Sequence, residues 1–155
     1  MSTERISVGD EVADFELDDQ NGRLFRLKEH LGKYPMVIYF YPKDDTPGCT
    51  AEACSFRDQY EDFSDQGVKV IGISSDSIQS HKNFAEKHRL PFTLLSDPED
   101  QVRKKFGVPR SFLGLIPGRV TYVVDREGII QHVFNSQFRS SRHVQEAIEH
   151  IKSLV

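Results

Sequence analysis

Apolar residues fall along this chain in two rhythms. From 36 to 41 (Met-Val-Ile-Tyr-Phe-Tyr) they run without a polar break, as in a strand covered on both faces, and 68–73 reads as a second buried strand. Residues 50–66 switch to helical spacing, with Ala53, Phe56, Tyr60 and Phe63 three or four apart, and Gly67 stands where a C-terminal cap belongs. Ser74, Ser75, Asp76 and Ser77 then offer N-caps for a helix through His88. Past Pro91, residues 92–95 read as a short strand. Asp97-Pro98-Glu99-Asp100 opens a short helix whose Val102 and Phe106 share a face and which Gly107 and Pro109 stop. Residues 110–118 read as a loop, and 119–124 with 129–134 as a hairpin around Asp125-Arg126-Glu127-Gly128. The last stretch, 140–154, places Val144, Ile148 and Ile151 on one helical stripe.

The first 34 residues are an extended preamble. Val12, Phe15 and Leu17 alternate with acids, Asp18 to Gly22 signals a turn, and Leu24, Phe25 and Leu27 resume the apolar pattern, which predicts a small hairpin. The whole order is α/β. Early alternation of strands and helices implies parallel pairing through right-handed crossovers, and the late hairpin implies an antiparallel edge. One mixed sheet flanked by helices, with the N-terminal hairpin as an extension, is the expected fold, built as one domain over residues 1–155.

Composition narrows the function. A net charge of −4 gives no reason to expect nucleic acid. No apolar stretch approaches the ~20 residues that cross a bilayer, so no membrane partner is expected. The first residues lack the apolar segment of a secretory signal, and the location expected is cytoplasmic. In such a compartment two cysteines are redox-active or inert rather than a structural bridge.

Both cysteines, Cys49 and Cys54, lie just after the first apolar strand, in Pro42-Lys43-Asp44-Asp45-Thr46-Pro47-Gly48-Cys49-Thr50-Ala51-Glu52-Ala53-Cys54. A free thiol titrates near ~8.5, and a helix N-terminus favours its anion through unpaired N–H groups and the helix dipole. Cys49 sits at that junction and is the candidate nucleophile, with Pro47 and Gly48 shaping a tight turn into the helix; the alternative is an ordinary buried cysteine. Cys54 is its candidate partner. Five helical residues span ~7.5 Å with side chains diverging by ~140°, and bridged cysteines need Cα atoms within about 7 Å, so the thiols meet only if the helix start unwinds. Four intervening residues do not make Cys-x-x-Cys. The six histidines (His30, His81, His88, His132, His143, His150) show no grouped ligand spacing and read mostly as exposed. His81 and His88 could share a helix face, but no metal or other cofactor is expected.

Pro42-x-x-x-Thr46-x-x-Cys49 resembles the active-site signature of peroxiredoxins, and the Cys49–Cys54 spacing is similar to the bacterioferritin-comigratory / peroxiredoxin Q subfamily. Val70-Ile71-Gly72-Ile73-Ser74, Leu94-Leu95-Ser96-Asp97 and Pro117-Gly118-Arg119-Val120-Thr121-Tyr122 extend the resemblance over most of the chain. It implies a thioredoxin-like fold and a thiol peroxidase acting on hydrogen peroxide and organic hydroperoxides. Cys49 would be peroxidatic and Cys54 resolving, within one monomeric chain recycled by thioredoxin or a similar dithiol. Thr46, the Cys49 N–H and Arg119 would donate to the peroxide oxygens, Pro42 would wall the pocket, and Gly48 would let the backbone approach the substrate. Glu52 could hold the arginine or be a solvated acid. Tyr41 and Phe112 could line the pocket or simply pack. A disulfide-exchange protein and a non-catalytic redox switch are the competing readings, and Thr46 with Arg119 favours the peroxidase.

Overall fold

The computed structural model describes residues 5–111, 116–137 and 139–154. Its first elements are the expected hairpin, β1 (Glu16–Asp19) antiparallel to β2 (Leu24–Arg26), with Leu17 opposite Phe25. The Asp19 carboxylate accepts from the Asn21 and Arg23 N–H groups at 2.8 and 3.0 Å, which is the work Asp does in such turns. Phe15, Phe25 and Leu27 are buried while Leu24 is exposed, so the hairpin gives only one face to the core.

The order then runs β3 (Met36–Phe40), α1 (Pro47–Asp58), α2 (Tyr60–Ser64), β4 (Lys69–Ser74), α3 (Ile78–His88), β5 (Thr93–Ser96), α4 (Gln101–Phe106), β6 (Arg110–Ser111), β7 (Ile116–Pro117), β8 (Val120–Val124), β9 (Ile130–Asn135) and α5 (Ser140–Leu154). Seven strands form one sheet in the order β2-β1-β5-β4-β3-β8-β9. Its centre, β5-β4-β3, is parallel, and the pairings outside it are antiparallel, as alternation followed by a hairpin predicts. β3 feeds both faces. Val37 and Tyr39 join Phe56, Phe84, Val144 and Ile151 on one side, and Met36, Ile38 and Phe40 join Phe15, Phe106 and Tyr122 on the other. Ser77 caps α3, its hydroxyl accepting from Ser80 N–H at 3.1 Å.

Two expectations are corrected. The helix anticipated over 50–66 begins three residues earlier, because Pro47 takes the first helical position, where its missing N–H costs nothing. It also breaks at Gln59 (φ −108°, ψ 15°), with no proline or glycine to mark the break in the sequence. The loop anticipated over 110–118 contains a two-stranded ladder, with Arg110 opposite Pro117 and Ser111 opposite Ile116. Gly118 follows that ladder at a close crossing: a Cβ there would lie 1.9 Å from the Pro109 carbonyl oxygen. Only glycine lets the chain pass at this point and turn into β8 with Arg119 in place.

Candidate active site

Thr46 is the N-cap of α1, so Pro47, Gly48 and Cys49 are its first three helical residues. Cys49 therefore lies within the first turn, where unpaired N–H groups favour an anion, and it is 1% exposed. No acid sits in that turn to compete. Glu52, three residues on, shares the face of Cys49 and is fully buried.

Arg119 reaches this pair from the start of β8. Its Nη2 donates to Cys49 Sγ at 3.2 Å, Nη1 to Glu52 Oε1 at 2.6 Å, and Nε to the Gln137 carbonyl at 3.1 Å. Three donors of one planar group are thus fixed in different directions, a task lysine cannot perform. Gly48 makes room, since a Cβ there would stand 3.0 Å from Nη2. Burial opposes the guanidinium charge, but Glu52 and Cys49 outweigh it and push the Arg119 pKa upward. Burial pushes the Glu52 carboxyl up to about 7, against the pull of the Arg119 charge and hydrogen bond.

The floor of the site comes from residues the sequence did not nominate. Glu52 Oε2 has no hydrogen-bond partner and faces His143 Nδ1 at 3.6 Å. That nitrogen accepts from the Thr121 hydroxyl at 2.7 Å, while Nε2 donates to the Ser136 carbonyl at 2.7 Å. Burial, with help from the Arg119 charge and against the Ser136 bond, brings the His143 pKa down to about 4, so the ring is neutral near pH 7. Ser140, the first residue of α5, donates to the Gly48 carbonyl at 2.7 Å and ties this helix to the first turn of α1. Chain separations of 22 and 92 residues for the Thr121–His143 and Gly48–Ser140 pairs leave no local signal for them.

The loop before Cys49 is anchored from beneath. Asp44, 5% exposed, accepts from Tyr41 Oη at 2.5 Å and Ser80 Oγ at 2.9 Å, and it pairs with His81 Nδ1 at 2.7 Å. His81 Nε2 donates to the Leu95 carbonyl at 2.9 Å. Tyr41 thus packs and anchors this loop, its hydroxyl directed at Asp44 rather than the sulfur. His81 and His143 are completely buried, which corrects the expectation of exposed histidines; each has carbonyl and hydroxyl or carboxylate partners that meet its polar needs. Nor are the histidines ungrouped in space, because His132 and His150 come together beside Glu146.

Thr46 is placed at the helix start, but its hydroxyl donates to the Lys43 carbonyl at 2.8 Å. Its proton is committed, so the oxygen offers lone pairs to a substrate where the sequence had nominated a donor. Pro42 lies two residues past the end of β3 and is half-buried. Phe112 lies outside the described residues. Cys54 is half-buried in the intact α1, and both thiols are free. With the helix continuous between them the two sulfurs stand apart, as the spacing requires.

The model of the AhpC/TSA family matches residues 8–133. The chain is 50% identical over 150 residues to "Peroxiredoxin Q, chloroplastic" of Sedum lineare, covering 97% of this chain and 80% of that one. It is also 50% identical over 149 residues to the protein of the same name from Arabidopsis thaliana, covering 96% and 68%. Among solved structures, peroxidoxin BcpB of Mycobacterium tuberculosis superimposes with a TM-score of 0.89 at 38% identity, covering 97% of this chain and 99% of that one. The sheet and its helices are therefore the thioredoxin-like arrangement. The expectation of a cytoplasmic location does not stand, since these plant relatives are named chloroplastic. The features behind it, the composition of the first residues and the use of only two cysteines, do not separate one thiol-reducing compartment from another.

Proposed function

The chain belongs to the AhpC/TSA family, among the peroxiredoxins Q, and is a thiol-dependent peroxidase acting on hydroperoxides; from that premise we propose that Cys49 is its peroxidatic cysteine and Cys54 its resolving cysteine. The observation that carries the reading is the Arg119 guanidinium, 3.2 Å from Cys49 Sγ and held there by Glu52. A cation beside the sulfur would serve disulfide exchange too, but the cation together with Thr46 at the helix start offers partners for a peroxide as well as for the thiolate, which favours the peroxidase.

In the first step the Cys49 thiolate attacks the nearer peroxide oxygen. The S–O bond forms as the O–O bond breaks, sulfur is oxidised to sulfenic acid, and the departing oxygen leaves as alkoxide or hydroxide and takes up a proton. Charge moves from sulfur to the leaving oxygen, and Arg119 with the first-turn N–H groups answers it at both ends. Thr46 Oγ, its own hydrogen on Lys43, accepts the peroxide hydrogen bond and orients the O–O axis. Pro42 walls the pocket, and Gly48 leaves space for the guanidinium beside the substrate.

The Cys54 thiol then attacks the Cys49 sulfenic sulfur, a disulfide forms, and water leaves. This needs the first turns of α1 to open, and a helix start is where local opening costs least. A thioredoxin-like dithiol takes the disulfide by exchange and restores both thiols. Resolution within one chain supports a monomer, working as one domain without a cofactor. The test is thioredoxin-coupled peroxide consumption. Cys49→Ser is expected to be inactive, and Cys54→Ser to react once and then stall; undiminished turnover in Cys49→Ser would overturn the assignment.

A further inference from the structure

Away from the thiols, the fold gathers side chains that peroxide chemistry does not use. His132 of β9 and Glu146 and His150 of α5 each bring one donor atom to within 4.8 Å of the others. We propose that His132, Glu146 and His150 bind a divalent transition-metal ion of the zinc class, with a fourth position open to water. Two imidazoles and a carboxylate are a three-ligand zinc set, and imidazole selects zinc-like ions over magnesium or calcium.

The surroundings are those of ligands already oriented. His132 Nε2 bonds Glu146 Oε2 at 2.9 Å, and the His132 and His150 rings stack with centroids 3.5 Å apart. Arg142 Nη2 holds the other carboxylate oxygen, Oε1, at 2.9 Å. His150 Nδ1 donates to the Glu146 carbonyl at 3.3 Å, which leaves Nε2 with its lone pair. A backbone acceptor on the second nitrogen of a ligand histidine and a partner on the far oxygen of a ligand carboxylate are recurring supports of metal sites. Glu146 and His150 are one helical turn apart and so share a face. The His132 and Glu146 side chains are 22% and 12% exposed, open enough for an ion to reach.

Zinc bonds of ~2.0–2.1 Å set tetrahedral donors about 3.4 Å apart, so the 2.9 Å His132 Nε2–Glu146 Oε2 pair opens slightly to admit an ion and the rings tilt out of their stack. The neutral His132 ring shifts its hydrogen from Nε2 to Nδ1, with no net proton release. The second grouping of this kind, Asp44, Asp76 and His81, is different. Both His81 nitrogens are engaged there, and Asp76 Oδ2 already accepts from Asp44 N–H and Ser74 Oγ at 2.8 and 2.6 Å, so the imidazole has no lone pair to spare for an ion.

An ion at His132, Glu146 and His150 ties β9 to α5, the helix whose first residue holds Gly48. It does so away from Cys49, since His150 lies ten residues beyond Ser140, about 15 Å along the helix. The test is Co²⁺ titration of the full chain carrying Cys49→Ser and Cys54→Ser, which removes the thiols as competing ligands, read by visible absorption and reversed with Zn²⁺. One Co²⁺ per chain with ligand-field bands is expected. His132→Ala, His150→Ala and Glu146→Gln should each weaken binding about tenfold or more, and Arg142→Gln about tenfold, with unchanged far-ultraviolet circular dichroism. Zn²⁺ should raise the melting temperature of the wild type and not of His132→Ala. Absence of saturable binding, or binding that survives both histidine substitutions, would overturn the proposal.

Discussion

Arg119 donates to Cys49 Sγ at 3.2 Å across seventy residues of sequence, and this one contact joins the start of α1 to the start of β8, the strand paired beside β3. The same guanidinium grips Glu52, so the sulfur, the cation and the acid act as one unit. Removing any member changes the other two.

Arg119→Lys keeps the charge but offers one compact donor group in place of a planar fork. It cannot hold Glu52 and point at the sulfur together. The second-order rate constant of the reduced enzyme with hydrogen peroxide, measured by stopped flow, is expected to fall about 10²-fold. An unchanged rate would show that the cation is not part of the reaction.

Gly48→Ala separates stability from activity. Alanine in a helix favours folding by ~1 kcal/mol over glycine. Its Cβ would lie 3.0 Å from Arg119 Nη2 and 3.5 Å from Ser140 Oγ, so the guanidinium must move. Peroxide reduction is expected to slow about tenfold or more while the melting temperature holds or rises. Equal losses in both would point to a structural effect alone.

Glu52 gives the stability a pH dependence. Its carboxyl is raised from 4.5 to about 7 in the folded chain, mainly by burial. The folded state therefore binds more protons than the unfolded state between those values, and this residue's contribution is full below about 4.5 and lost as pH rises through about 7. At 1.36 kcal/mol per unit the loss is on the order of 3 kcal/mol. Urea unfolding of wild type and Glu52→Gln across that range should show the wild type losing ground to the variant as pH rises. Parallel curves would remove Glu52 as the titrating group.

Much of this fold is legible in the order of residues. Apolar runs mark β3 and β4, helical spacing marks α1 and α5, the Ser74–Ser77 cap candidates mark α3, and the Asp-Arg-Glu-Gly turn marks the late hairpin. Boundaries depend on features the pattern hides: Pro47 extends α1 forward, and nothing local announces the break at Gln59. At the site, Cys49 and Cys54 announce themselves by position. Arg119 came only through family resemblance, because an arginine at a strand start says nothing of where its side chain will lie. His143, Ser140 and Thr121 were missed, since their meeting is made by the packing of α5 on α1 and β8. His132, Glu146 and His150 were missed for the same reason: a strand and a helix bring together residues that no sequence spacing relates.

Oxidation should be visible as motion. Cys49 and Cys54 are separated by about 7.5 Å of helix rise, so their disulfide requires α1 to open near its start. Amide exchange across 46–60 is expected to rise in the oxidised protein, while β3 and β4 stay protected. Equal protection in both redox states would contradict an opening helix.

The most direct measurement is the site of first oxidation. Reduced Cys54→Ser, given one equivalent of hydrogen peroxide and trapped with dimedone, should carry the adduct on Cys49 by peptide mass mapping, and Arg119→Lys in the same background should acquire it far more slowly. No adduct at Cys49, or one formed at the same rate without the arginine, would contradict the account.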